Sequence, residues 1–266
     1  MSKHIDCDSF SVMENFHTHT YRCNHAKGQD RDYVIKAIEE DFSLIGFSDH
    51  TPWPYEYTAV HRNRMFPDQL EDYVTSVKGL KEEFKDKIDV RLGLEVEAFT
   101  DYYPWLEEKV HQYGIEYLIL GNHYMTIAES GFFGHHCSAS DMVKVVDLMR
   151  KAIEKGHFMY IAHPDLMFCN YPTFDSSCIA ASKDILSIAQ EHRIPIEYNT
   201  SGFLKRERGL VKGLGYPTPG FWDLAPDYDV DVYIGLDAHS PSYFSKERYK
   251  AASEFLLSKG LHVLNP

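Results

Sequence analysis

The chain has 266 residues, 44% hydrophobic, 25% charged and 14% aromatic, a composition that excludes a disordered or collagen-like protein. Its 27 Lys and Arg against 40 Asp and Glu leave a net charge of −13, which repels nucleic acid and argues against it as a partner. No apolar run approaches the roughly 18 residues of a membrane span, no basic-then-apolar secretion signal opens the chain, and five cysteines without a CxxC pair point to reduced thiols in a cytoplasm.

Short β-branched or aromatic runs alternate with amphipathic segments. The pattern predicts strands near Asn15–His19, Leu44–Ser48, Val90–Val96, Tyr117–Gly121, Met159–Ala162, Ile194–Tyr198 and Val232–Gly235. Helices are expected at Asp32–Glu40, Asp68–Phe84, Tyr103–Gln112, Ser140–Lys155, Ser176–His192 and Ser245–Leu257. The helix from 140 follows a capping stretch at Ser138, and Met142, Val145, Val146 and Met149 give it one apolar face. Such alternation implies a parallel sheet covered by helices. About seven strands suit a closed barrel better than an open sheet, although the pattern alone does not force that choice; in both, active sites lie at the C-terminal ends of strands. Residues 1–266 read as one domain, since no Gly/Pro-rich linker interrupts them.

Histidine is abundant, at 15 residues. The first strand ends in Phe16-His17-Thr18-His19-Thr20, and alternate strand residues share a face, so His17 and His19 can reach one cation. Two structural or surface histidines are the plain alternative. The other strand ends carry Asp49-His50, Glu95-Val96-Glu97, Asn122-His123, His163-Pro164-Asp165, Glu197-Tyr198-Asn199 and Asp237-Ala238-His239. A potential ligand or acid–base group at every strand end favours a metal site.

In order along the chain, FHTHT, His25, SDH, GLEVE, GNH, AHPD and GLDAHS make the sequence resemble the PHP (polymerase and histidinol phosphatase) family from residue 16 to 240. The resemblance implies a distorted (β/α)7 TIM-like barrel with three divalent metals, Zn, Mn or Fe. One metal would take His17, His19, Glu95 and Asp237; a second Glu95, His123 and His163, with Glu95 bridging; a third His25, His50 and His239. The implied chemistry is attack by a metal-bridging hydroxide on a phosphomonoester, with Glu95, Asp237 and His239 as catalytic groups. The chain length, the insertion 51–89 and Glu197-Tyr-Asn-Thr-Ser-Gly202 resemble the histidinol-phosphatase branch, implying L-histidinol phosphate as substrate and a place in histidine biosynthesis. The chain departs from that branch after Gly202, where Phe203-Leu204-Lys205-Arg206 stands instead of an immediate arginine.

Supporting roles follow from position. Arg22, between His19 and His25, is a candidate to grip phosphate bidentately, against a solvated loop arginine. Arg62, Arg64, Lys205, Arg206 and Arg208 are further loop candidates. Glu197 and Asn199 are candidates for a substrate amine or for orienting a ligand. Asp49 reads as structural, Asp165 as support for a metal ligand, His135 and His136 as substrate-lining or surface, and Trp53-Pro-Tyr55-Glu-Tyr57 as a pocket wall or a buried loop. Rival readings are a related phosphoesterase for a nucleotide or other small phosphoester, and a metal-stabilised binding module without catalysis.

Overall fold

The computed structural model describes residues 12–54, 63–127 and 132–265. Four parallel strands pair in chain order: β1 (Glu14–Asn15), β2 (Leu44–Phe47), β3 (Asp89–Val96) and β4 (Tyr117–Leu120). A second parallel group holds β5 (Ile196–Asn199), β6 (Asp231–Gly235) and β7 (His262–Val263). Interspersed are α1 (Asp30–Glu39), α2 (Leu70–Phe84), α3 (Tyr103–Tyr113), α4 (Ala139–Lys155), α5 (Ser176–His192), α6 (Ser201–Glu207), α7 (Pro219–Leu224) and α8 (Lys246–Ser258).

Single bridges curl the two groups into the distorted barrel. Ile161 pairs with Leu120 on one side and Ile196 on the other. The expected strand at 159–162 is thus a stave held by one-residue bridges rather than a ladder. The expected strand at 15–19 is likewise shorter, ending at Asn15, but its path continues to a bridge between Thr18 and Ala238. Below that bridge, β7 and Asn265 fill the seam. The Asn265 side chain accepts from Ile234 N and donates to the carbonyls of Ile234 and Glu14. No expectation covered β7, α6 or α7. The first has two residues, and α6 opens on Thr200-Ser201-Gly202, a poor helix start by propensity.

The strands are apolar because helices cover them: Leu44-Ile45-Gly46-Phe47 is buried throughout. α4 lays Met142, Val145, Val146 and Met149 into the core, and its first turn is closed by reciprocal bonds between Ser138 and Asp141. Trp53 is fully buried against Phe99 and Tyr103, so it belongs to the core rather than to a pocket wall. Tyr55, Tyr57 and Arg62 lie outside the described residues. Among the described residues no helix is long and apolar enough to cross a membrane, and Cys23, Cys137, Cys169 and Cys178 are buried and free.

Candidate active site

The strand ends converge on one cavity of about 560 Å³. Thr18 is tied to Ser48 on one side and Ala238 on the other, so its neighbours His17 and His19 turn inward together. Their Nε2 atoms lie 3.2 Å apart. Glu95, at the end of β3, sits at the centre. Its Oε1 is 2.8 Å from His163 Nε2, 3.4 Å from His17 Nε2 and 3.5 Å from His123 Nε2. Its Oε2 is 3.5 Å from His19 Nε2 and 2.9 Å from His50 Nδ1. Asp237 Oδ1 lies 3.2 Å from His19 Nε2 and 3.6 Å from His17 Nε2. At the mouth, the Nε2 atoms of His25 and His239 are 2.8 Å apart, and His50 stacks beside His25. The nine expected ligand residues are therefore brought together, grading from fully buried His17 and His19 to His25 at the rim, exposed as a residue but with its ring packed against His239 and His50.

Two glycines make this convergence possible. A Cβ on Gly121 would fall 2.0 Å from Glu95 Oε1, and one on Gly235 would fall 1.8 Å from Glu197 Oε1. Two ligand residues occupy uncommon backbone conformations, His163 at φ 30 and Asp237 at φ 46. Such strain collects at functional sites, where surrounding structure holds it.

The donor set fits divalent cations. Ligand atoms around a tetrahedral zinc are about 3.3 Å apart, because each is about 2.0–2.1 Å from the ion. His17 and His19 Nε2 are 3.2 Å apart, lie 3.6 and 3.2 Å from Asp237 Oδ1, and reach different oxygens of Glu95 at 3.4 and 3.5 Å. His17–Glu95–His163 and His19–His50–His239 also group closely enough to hold an ion. Glu95 Oε2 is buried and receives no hydrogen bond. His25 Nδ1 bonds to Cys23 O and His239 Nδ1 to Asp237 O. In the neutral rings both facing Nε2 atoms then carry lone pairs, an arrangement that a shared cation relieves.

A ring of acceptors aims these imidazoles. His17 Nδ1 bonds to Glu197 Oε1 at 2.7 Å, His123 Nδ1 to Glu97 Oε1 at 2.9 Å, and His19 Nδ1 to Asp49 Oδ1 at 3.4 Å. Each bond places the proton on Nδ1 and leaves Nε2 to face inward. The charges divide the cluster. Burial opposes protonation of His17, yet Glu197, Glu95 and Asp237 raise its pKa well above the ordinary value. His19 is likewise disfavoured by burial but raised to about 9 by Asp237 and Asp49. At the mouth, burial and the neighbouring imidazoles His239 and His19 lower His25 to about 4. His50 and His239 are lowered by burial and by His19. Burial would raise Glu95 and Asp237, but surrounding histidines hold both well below the carboxylate range.

The expected substrate contacts fall elsewhere. Arg22 is buried and spans Asp30 and Asp72, at 2.7 Å each, away from the cavity. It is a strut between α1 and α2, because two carboxylates saturate its fork. Arg206 is exposed outside the cavity and donates to Leu214 O. Glu197 is fully buried, accepting from His17, His163 N and Asn199, so no amine can reach it. Asn199 is consumed by Glu197 and Ser201 N. Asp49 is an orienting partner of His19 rather than merely structural. Asp165 bonds to Thr218 N and Trp222 Nε1, not to a ligand histidine. Of the basic loop candidates, Arg64 and Lys205 do line the cavity, as does His135.

The GLEVE motif by itself gives Glu97 no role. Its spacing of two from Glu95 is the signal that places it on the same side of the strand. Tyr216 also lines the cavity, beside Lys205, and nothing in the Gly/Pro-rich stretch around it marks it.

Comparison with known proteins agrees with this geometry. The chain is 29% identical over 252 residues to the histidinol-phosphatase of Bacillus subtilis, covering 84% of this chain and 92% of that one. It is 28% identical over 243 residues to the "Probable histidinol-phosphatase" of Deinococcus radiodurans, covering 88% and 86%. Its fold matches the Lactococcus lactis histidinol phosphate phosphatase, solved with zinc, L-histidinol and phosphate, at a TM-score of 0.72 and 17% identity over 95% of each chain. The PHP domain family model matches residues 15–201, a span that takes in every converging side chain except Asp237 and His239, and the chain therefore belongs to the PHP domain family.

Proposed function

We propose that the chain is a metal-dependent phosphomonoesterase acting on L-histidinol phosphate, built as one domain over residues 1–266. The observation that carries this reading is the convergence of seven histidines and two carboxylates around Glu95 in one open cavity. The two relatives of about this length named for that activity support the choice of substrate.

His17, His19, Glu95 and Asp237 would hold one divalent ion; Glu95, His123 and His163 a second; His25, His50 and His239 a third. Bound ions there supply positive charge for phosphate oxygens and lower the pKa of coordinated water. The chain's own residues set the conditions. Glu197, Asp49 and Glu97 keep each imidazole turned with Nε2 inward. Lys205 adds a fixed positive charge: its ammonium donates to Tyr216 and has no carboxylate in salt-bridge range among the described residues. Two of its three protons are left for a phosphate group in the cavity. An anion is thus drawn into a positive pocket within a protein of net charge −13.

Part of the wall is aromatic. Phe132 lies parallel to His123 at 6.1 Å, with Tyr124 and His135 against it. That wall suits an imidazole, and it equally suits a nucleobase. Apart from Asp237, no carboxylate lines the cavity among the described residues to take an amine. The second reading, a nucleoside monophosphate as substrate, rests on this observation. Phosphate release by the metal-loaded protein from L-histidinol phosphate, a nucleoside monophosphate and p-nitrophenyl phosphate separates the two. A strong preference for the first supports our reading; a preference for the nucleotide replaces it.

A further inference from the structure

The cavity contains a proton donor that the metal cluster does not use. Tyr216 lines it beside His163, with ring centroids 6.5 Å apart, and the phenol oxygen accepts from Lys205 Nζ. The phenol's own proton goes to no group among the described residues. The loop that carries it is pinned at four points. Leu214 N bonds to Tyr171 O, Gly215 N to Cys169 O, Thr218 Oγ1 to Gly215 O, and Thr218 N to Asp165 Oδ2 at 2.5 Å. Trp222 Nε1 bonds to the same Asp165 oxygen. Gly202, on α6, adds close fit: a Cβ there would strike Tyr216 O at 1.7 Å. The AHPD segment therefore has two outputs, His163 for the metal cluster and Asp165 for the Tyr216 loop.

We propose that Tyr216 is the acid that protonates the leaving alkoxide of an alkyl phosphate, with Lys205 and Asp165 as positioning residues. This rests on the phosphomonoesterase reading above. Among the other phenols of the wall, Tyr243 lies beside His239 without a lysine partner among the described residues, and it is the rival that the test below includes. The cluster histidines bond through Nδ1 or face the metal positions, and Glu95 and Asp237 are held ionised. The Tyr124 oxygen accepts from Asn63 Nδ2 rather than from an ammonium, and His135 sits at the exposed rim. In the step itself, water oxygen forms a bond to phosphorus as the ester P–O bond breaks. The ester oxygen leaves with the bonding pair and takes the phenol proton. The adjacent ammonium stabilises the phenolate and returns a proton to it. Lys205 is reprotonated from solvent, which also receives the proton released by the attacking water.

The test uses leaving groups. An alkoxide needs protonation, whereas p-nitrophenolate does not. In Tyr216→Phe, kcat on L-histidinol phosphate should fall by about 10²-fold or more, and this loss should exceed the loss on p-nitrophenyl phosphate by at least about tenfold. Metal content, measured by elemental analysis, should match wild type. A series of aryl phosphates gives a second readout: log(kcat/KM) should depend more steeply on leaving-group pKa in the variant. Equal losses on both esters, an unchanged slope, or a selective loss in Tyr243→Phe instead would overturn the assignment. If the wild type releases phosphate from neither ester, the phosphomonoesterase reading itself fails, a result distinct from any of these.

Discussion

Glu197 is the most informative residue to perturb, because sequence position leaves it between a substrate amine and a metal ligand while the structure gives it to His17. Its Oε1 accepts from His17 Nδ1 at 2.7 Å; its Oε2 accepts from His163 N at 2.9 Å and Asn199 Nδ2 at 2.8 Å. All four acceptor directions face donors, counting Tyr160 OH at 3.5 Å. Glu197→Gln keeps the shape but replaces one oxygen with an NH2. If the NH2 faces His17, it forces the ring proton onto Nε2, the atom that faces Glu95 and Asp237. If it faces the other way, the backbone N–H of His163 is left unsatisfied. The bond to His17 also loses its ionic character: a charged hydrogen bond is worth about 1.5–3 kcal/mol and a neutral one about 0.5–1.5. The difference, about 1–2 kcal/mol, is about a fivefold to thirtyfold change in affinity. The forced tautomer adds to it, within the 10- to 100-fold cost known for partners of metal ligands. The assay is competitive zinc titration of chelator-stripped protein with a chromophoric indicator, with circular dichroism to confirm folding. A folded Glu197→Gln protein that binds zinc within about twofold of wild type would refute the orienting role, whatever its thermal stability. If instead Glu197 met the substrate amine, the variant would keep its zinc and show only a raised KM.

Other outcomes follow from the same geometry. Glu95→Gln removes the charge shared by two of the proposed cation positions, so phosphate release should drop by about 10³-fold or more; substantial residual turnover would sink the bridging role. Lys205→Met should raise KM for L-histidinol phosphate by about tenfold, the scale of one charge-assisted hydrogen bond, and lower kcat as well because the ammonium behind Tyr216 is lost; an unchanged KM would remove Lys205 from the phosphate site. Zinc binding between pH 6.5 and about 9 should release protons, because His19 is protonated there in the metal-free protein. Calorimetry in buffers of different ionisation enthalpy reads this directly, and the share released by His19 should fall away above about 9. In the metal-free protein, the raised pKa of His19 gives stability that is full below 6.5 and lost as pH rises toward about 9. His25, depressed to about 4, acts in the opposite sense and loses stability as pH falls below 6.5. Thermal melts of the stripped protein should therefore show these two losses on either side of pH 6.5; a flat profile would contradict both assignments.

What could be read in advance depended on range in sequence. Helices such as 176–192 were legible residue for residue, because periodicity and caps are local properties. The metal-ligand candidates were legible because a strand end names its own residues: His17 and His19 share a face by alternation alone. The partner acceptors were not. Asp49 lies just past β2, where alternation has ended, so its turn toward His19 could not be inferred. For Glu197 a strand-end position left a substrate amine and the orienting of a ligand equally open, and only the close approach across Gly235 and the bond to His17 decide for the second. Arg22 failed for the same reason: its two carboxylate partners come from α1 and α2, 8 and 50 residues away.

The cluster is not electrostatically uniform, and this decides how it would fill. The inner imidazoles His17, His19 and His123 sit among carboxylates and have raised pKa values, so protons compete for that end. The mouth imidazoles His25, His50 and His239 have lowered values, so near neutral pH they present lone pairs without a proton to displace. Two carboxylates also border the mouth, each on its inner side: Asp237 beside His239 and Glu95 beside His50, while the His25 side has imidazoles and solvent. A cation gains more Coulomb attraction inside, where Glu95 and Asp237 both reach it, and less at the mouth, where it meets imidazoles and solvent. The inner end should therefore bind tightly but with steep pH dependence, and the mouth weakly and with little. Metal content after mild chelation at two pH values within 6.5 to 9 tests this: the ion lost first should be the same at both, while the affinity of those retained should rise with pH. Loss of all ions together at either pH would mean that the cluster fills and empties as one unit.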